Sequence, residues 1–218
     1  MTAPGSLDVF RADYERAQRQ LTRICRTRGA LAVSTLGPAG TSSHHAAEYL
    51  RGRLEATGLS RITIQLHPTF ETVLEDLSTG VVPLALIPSA FRNATAFHWH
   101  PKVRLLFHFA RPTPGYGLAA RPGETPAGSP LRISSMSEVS VLYPDVCPPA
   151  LRDRPVEWVP AASTMDAARV LAQGGADLAL TNDNGRDTHG LHWLSQRPGA
   201  EIVWLLFTNL PIDGNDDA

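Results

Sequence analysis

Seven consecutive residues, Gly37-Pro38-Ala39-Gly40-Thr41-Ser42-Ser43, set two glycines and three hydroxyls between an apolar run and an amphipathic one. Where a strand passes into a helix, such a turn aims backbone N–H groups and hydroxyls at one point, which suits an anion. It is not a P-loop, because the lysine and the four-residue spacing are absent. Nor is it a dinucleotide fingerprint, which needs a third glycine and an acidic residue about twenty positions on. An ordinary capped turn accounts for the same residues. Ser163-Thr164, ahead of Asp166-Ala167-Ala168, is a second hydroxyl-capped helix start. Alone it reads as a plain cap; facing the first turn across a cleft, it reads as half of a binding site. His98-Trp99-His100 and His108 invite a zinc reading, but no third ligand has suitable spacing, so no metal is expected. His44-His45 follow the glycine turn, where a neutral imidazole can relay a proton, although a solvated surface pair is the plainer reading. No G-x-S-x-G elbow is present, and Cys25 and Cys147 stand in unrelated contexts, so both read as inert, reduced thiols.

The elements that must hold these turns follow from periodicity. The spacing predicts a helix over 8–28, a strand over 30–36, a helix over 44–56, a strand over 61–66 and a helix over 69–78 capped by Thr69. Strands are expected over 81–87, 103–109 and 115–120, then a Pro- and Gly-rich surface loop over 121–130. Strands over 131–134, 156–160, 176–181 and 202–207, with a helix over 164–173, complete the chain. This alternation implies mostly parallel βαβ construction. The length and a Pro-rich break near residue 112 imply two α/β lobes with a cleft between them. The expected division is an N-terminal helical extension over 1–29, a first lobe over 30–111 plus 190–210, and a second lobe over 112–189. Loose tails are expected at 1–6 and, beyond the lobes, within 211–218.

Composition narrows the function. Of the 218 residues, 43% are hydrophobic and 19% charged, which excludes a disordered chain, and no apolar window is long enough for a membrane span. The formal net charge of −1 carries no broad footprint for nucleic acid. A small-molecule ligand is the expected partner, with neither nucleic acid nor membrane. The first residues lack the order of a secretion signal, so a cytoplasmic protein is expected. Lys102 is the single lysine among 20 Lys+Arg, a bias that coding composition explains as readily as carboxylate recognition by guanidinium groups.

The run from Leu36 through Thr41-Ser42-Ser43 to Ala47 resembles the opening motif of the prephenate dehydratase family. Phe70-Glu71-Thr72-Val73, Ala85-Leu86-Ile87-Pro88 and Ser163-Thr164 follow in the family's order, so the resemblance covers about residues 31–207. It is closer to the non-aromatising prephenate decarboxylases of the bacilysin type, through Thr113-Pro114-Gly115-Tyr116-Gly117, Arg121-Pro122 and Ala179-Leu180-Thr181-Asn182. The resemblance implies an α/β, two-lobed, periplasmic-binding-protein-like (type II) fold with a central cleft and no room for an ACT domain. A homodimer is expected, and so is a carboxy-lyase that needs no cofactor, because no cofactor motif is present.

The departures concern chemistry. Ser89-Ala90 stand where dehydratases carry Glu-Asn, Leu205-Leu206-Phe207 where they carry Thr-Arg-Phe, and Ser134 keeps the serine of a Ser-His-Pro segment. Prephenate bears a carboxylate on a quaternary ring carbon flanked by two alkenes, with a hydroxyl across the ring. Acid assistance to the hydroxyl aromatises the ring as carbon dioxide leaves; without it, protonation of ring carbon leaves a dihydro-4-hydroxyphenylpyruvate. The resemblance implies Thr41, Ser42 and Ser43 on one carboxylate, met by Ser163 and Thr164 from the other lobe. Arg111 or Arg121 pairs with the remaining carboxylate. Tyr116 or Asn182, beside Thr181, orients the ring, and Ser89 and Ser134 occupy substrate-binding positions. His44 or His100 is the expected proton donor. A dehydratase yielding phenylpyruvate and a non-catalytic ligand-binding relative are the alternatives.

Overall fold

A computed structural model of the chain describes residues 6–212. Of the expected tails, 1–5 and 213–218 lie outside the described residues, and Ser6 already heads the first helix. Leu210 and Ile212 pack on the first lobe's core. Helix α1 (Ser6–Arg28) is a simple extension only in its first turns, where Leu7 and Phe10 are exposed. Its last turns bury Leu21, Ile24 and Cys25 among Leu31, Val33 and Trp204. Burial also pushes the Cys25 thiol pKa up.

The chain continues as β1 (Ala30–Leu36), α2 (Ser42–Glu55), β2 (Arg61–His67), α3 (Phe70–Thr79), β3 (Leu84–Pro88), α4 (Ala94–His98) and β4 (Arg104–Pro112). Thr69 caps α3 by accepting from the Thr72 N–H, and Gly80, at a φ of 83°, ends it in the left-handed region. The second lobe follows with β5 (Tyr116–Ala120), β6 (Leu131–Ser135), α5 (Ser137–Ser140), α6 (Tyr143–Val146), β7 (Val156–Pro160), α7 (Thr164–Ala172), β8 (Leu178–Asn182), α8 (Asp183–Thr188) and β9 (His192–Arg197). Strand β10 (Glu201–Thr208) then returns to the first lobe.

Each lobe is a five-stranded sheet, ordered β2-β1-β3-β10-β4 and β7-β6-β8-β5-β9. Both are mixed, which corrects the mostly parallel expectation. β10 runs antiparallel to β3 and β4, and β5 antiparallel to β8 and β9. The cause lies in the two crossings between lobes, made by extended chain with no intervening helix, and periodicity reports a strand without its direction. Strand β9 corrects the lobe boundary: His192–Arg197 pairs with β5 in the second sheet, whereas the sequence places 190–210 in the first lobe. Its residues are half-buried with little alternation, so it carries no strand signal.

The two crossings lie side by side. The Thr113 N–H donates to the Ala200 carbonyl (2.9 Å), and the Ala200 N–H donates to Thr113 Oγ1 (3.0 Å). A Cβ on Gly199 would collide with the carbonyl oxygens of Thr113 and Pro114, so this close approach requires glycine. No helix among the described residues is long and apolar enough to cross a membrane.

Candidate active site

The glycine turn sits at the carboxyl end of β1. The Gly37 N–H donates to the His67 carbonyl (2.8 Å), tying the turn to β2, and Gly40 takes a φ of 91°. Thr41 then caps α2: its Oγ1 accepts from the His44 N–H (3.1 Å) and donates to the Leu36 carbonyl (3.0 Å). On the other lobe, Ser163 Oγ accepts from the Asp166 N–H (3.0 Å), capping α7. The Thr164 carbonyl is fixed by the Thr181 hydroxyl (2.7 Å). Both helix starts reach one cavity, lined by Thr41, Ser42, Ser43, Ser163 and Thr164. First-turn N–H groups have no partner within a helix and carry its positive end, an arrangement that favours an anion.

The lobes meet beside these caps. Ser42 Oγ lies 2.8 Å from Tyr116 Oη, and the side-chain amides of Asn182 and Asn184 donate to the Gly40 carbonyl (3.3 and 3.1 Å). Asn184 Nδ2 also lies 2.6 Å from His45 Nε2. Burial pushes the Tyr116 phenol above its usual value, against the opposing hydrogen bonds of Ser42 and Thr113, so the phenol keeps its proton at neutral pH. Burial, then the neighbouring His44, lowers His45, against a smaller opposing effect of Glu48.

The remaining walls are largely apolar: Leu36, Phe70, Phe91, Ile202 and Trp204 from the first lobe, and Met136, Val139 and Leu142 from the second. The cavity measures about 170 Å³ and opens to solvent between the lobes. Two charged residues line it among the described residues, Glu138 and Arg197. Glu138 Oε2 accepts from Ser137 Oγ (2.8 Å), and Arg197 Nη1 donates to Asp145 Oδ2 (2.6 Å).

Six of the expected site residues therefore line one cavity: Thr41, Ser42, Ser43, Tyr116, Ser163 and Thr164. The others stand elsewhere. Arg111 lies over the Tyr49 ring (4.3 Å to its centre), outside the cavity. Arg121 follows the end of β5 opposite Tyr116, where it pairs with Glu124 and donates to the carbonyls of Leu171 and Ala176. His44 accepts from the Gly40 N–H (3.2 Å) and approaches Glu48 (3.4 Å), and His100 accepts from the Lys102 N–H. Neither histidine lines the cavity, so neither is in place to protonate a ligand there. Ser89 is exposed, whereas its neighbours Pro88 and Ala90 line the wall. Ser134 is fully buried inside β6 with no partner for its hydroxyl. Thr181 and Asn182 act from behind the walls: Thr181 fixes Thr164, while Asn182 caps α8 and grips Gly40.

Sequence reasoning missed Arg197, Glu138 and the apolar wall of Phe91, Ile202 and Trp204. Arg197 ends the unread strand β9, and core-type residues give no signal of facing a cavity. Among the described residues, no group of three or more His, Cys, Asp or Glu side chains could hold a metal ion.

No family model matches the chain. A prephenate decarboxylase of Planktothrix agardhii (strain NIVA-CYA 126/8) is 35% identical over 179 residues, covering 81% of this chain and 87% of that protein. The prephenate decarboxylase of Bacillus subtilis (strain 168) is 30% identical over 187 residues, 84% of this chain and 89% of the relative. Among solved structures, the prephenate dehydratase of Arthrobacter aurescens in complex with L-Phe aligns with a TM-score of 0.56 at 22% identity. That alignment covers 83% of this chain but 61% of the dehydratase. The periplasmic VFT2 domain of Bordetella pertussis BvgS aligns with a TM-score of 0.57 at 15% identity, over 89% of this chain and 85% of that one. These neighbours show the fold to be two-lobed and periplasmic-binding-protein-like.

Proposed function

Because the chain belongs to the prephenate decarboxylase family, we propose that it removes carbon dioxide from prephenate without aromatising the ring, leaving a dihydro-4-hydroxyphenylpyruvate. The observation that carries this reading is the convergence of two capped helix starts and one protonated phenol on an otherwise apolar cavity. The N–H groups and hydroxyls of Ser42, Ser43 and Thr164 hold the 2-oxo-carboxylate arm, which the reaction retains. The ring then packs on Phe70, Phe91 and Trp204.

Loss of carbon dioxide breaks the bond between the quaternary carbon and its carboxylate. The electron pair forms a new ring alkene, and the displaced alkene pair takes a proton at the carbon beside the carbinol. Tyr116 supplies that proton and regains one through Ser42, to which it is hydrogen-bonded across the cleft. Strand β10 offers the ring hydroxyl no acid: Leu206 and Phe207 are core residues, and the Trp204 indole N–H donates to the Arg111 carbonyl (3.4 Å). An unassisted hydroxyl stays on the ring, which supports the non-aromatising outcome.

The step is redox-neutral and needs no external electrophile, which supports cofactor independence. The same reading makes the enzyme a cytoplasmic homodimer that supplies a precursor for a specialised, antibiotic-type metabolite. The test is to incubate the purified protein with prephenate at neutral pH and follow ultraviolet absorbance and product mass. Loss of carbon dioxide with retention of the hydroxyl is expected; unchanged prephenate defeats the reading.

A further inference from the structure

The carboxylate anchors at the two helix starts account for one arm of a dicarboxylate, and nothing on the first lobe addresses the other. Among the described residues, no charged side chain from the first lobe lines the cavity. The second lobe supplies one cation, Arg197, at the end of β9 just before the crossing to β10. Its guanidinium carries five N–H donors in a planar fork, of which Nη1 is bonded to Asp145 Oδ2 (2.6 Å). The Nε and Nη2 donors have no partner among the described residues. A guanidinium in this state can accept a second carboxylate in fork geometry. The existing pair holds it loosely, since the Asp145 side chain is 61% exposed and that of Arg197 38%.

We propose that Arg197 is the residue that selects dicarboxylate over monocarboxylate ligands, by reading the ring carboxylate, and that Asp145 tempers its grip. The inference rests on the proposed reaction and specifies how its substrate is chosen. The ring carboxylate is the group that leaves. A full-strength cation there would stabilise the substrate more than the transition state, in which that charge is dispersing into carbon dioxide. Asp145, on α6, already shares the guanidinium, so the carboxylate is recognised without being pinned. This division gives the two residues opposite kinetic signatures.

The experiment measures prephenate turnover, and calorimetric binding of prephenate and phenylpyruvate, for wild type, Arg197→Gln, Arg197→Lys and Asp145→Asn. Arg197→Gln is expected to raise KM for prephenate about tenfold or more, with kcat falling less than about threefold. Its affinity for phenylpyruvate, which has one carboxylate, stays within about twofold of wild type, and that also reports an intact cleft. Arg197→Lys, a point charge without the fork, falls between the two. Asp145→Asn is expected to lower both KM and kcat, by roughly threefold each. Equal weakening of both ligands by Arg197→Gln, or a loss in kcat with KM unmoved, overturns the proposal. If wild type binds prephenate without converting it, the proposed reaction fails. The selectivity of binding between the two ligands then still decides the role of Arg197: a ratio unmoved by Arg197→Gln overturns it, and a collapsed ratio supports it.

Discussion

The two lobes share one plan and differ in what they bring to the cleft. In each, the lobe's first parallel strand (β1 or β6) lies between two parallel neighbours, and an antiparallel strand that has crossed from the other lobe extends the sheet. Even the register agrees: Ser34 pairs with Ala85 in the first lobe as Ser134 pairs with Ala179 in the second. Both serines are fully buried with unpartnered hydroxyls. After β1 and β6 the lobes diverge. In the first, β1 leads through the glycine turn into the 14-residue α2, capped by Thr41. In the second, β6 leads into the four-residue α5, where Met136 offers no side-chain cap. Both lobes bring a capped helix start and apolar wall residues to the cavity, but among the described residues the second alone supplies the phenol and both charged residues.

That asymmetry can be broken most severely at Tyr116. Tyr116→Phe removes the phenol and its bond to Ser42, and kcat for prephenate is expected to fall about 100-fold with a much smaller change in KM. The caps come next. Thr41→Ala removes both the cap of α2 and a cavity hydroxyl, so turnover is expected to fall about tenfold alongside a stability loss of about 1 kcal/mol in urea titration. Ser163→Ala tests the matching cap on α7, with the same stability loss and a fall in turnover of comparable size.

The paired serines sharpen the comparison from the opposite side. Ser34→Ala and Ser134→Ala each remove a buried hydroxyl without a partner, and each is expected to raise Tm by about 1–3 °C without loss of turnover. A loss of turnover in Ser134→Ala would return that residue to the substrate. The smallest effect is at His45. Its pKa is lowered in the folded state, so below the ordinary histidine value near 6.5 the unfolded chain binds more protons. Its contribution therefore destabilises the fold as pH falls through that window and is absent above it. In thermal melts, His45→Gln is expected to flatten the dependence of Tm on pH below about 6.5.

Much of the fold was legible because its signals are local. Alternation marked β2, the apolar run marked β1, and the hydroxyls before α2, α3 and α7 do cap those helices. The short helices α4, α5, α6 and α8 escaped because four to six residues give no periodicity to read. Strand direction and the membership of β9 escaped because both are set by tertiary pairing. The site divided in the same way. The residues at helix starts were read from cap chemistry, which is local. The cation was sought at Arg111 and Arg121, and Arg197, in contact with the cavity through the return crossing, carried no mark of its own. His44 follows Ser42 and Ser43, which line the cavity, while its own ring turns back to Gly40 and Glu48.

The most direct test of the central claim is to run the conversion of prephenate in D2O and analyse the product by proton NMR and mass spectrometry. The account predicts a product that has lost carbon dioxide, keeps its ring hydroxyl and carries a single deuterium on the ring carbon beside it. Phenylpyruvate, with carbon dioxide and water both gone and no deuterium on the ring, would contradict it.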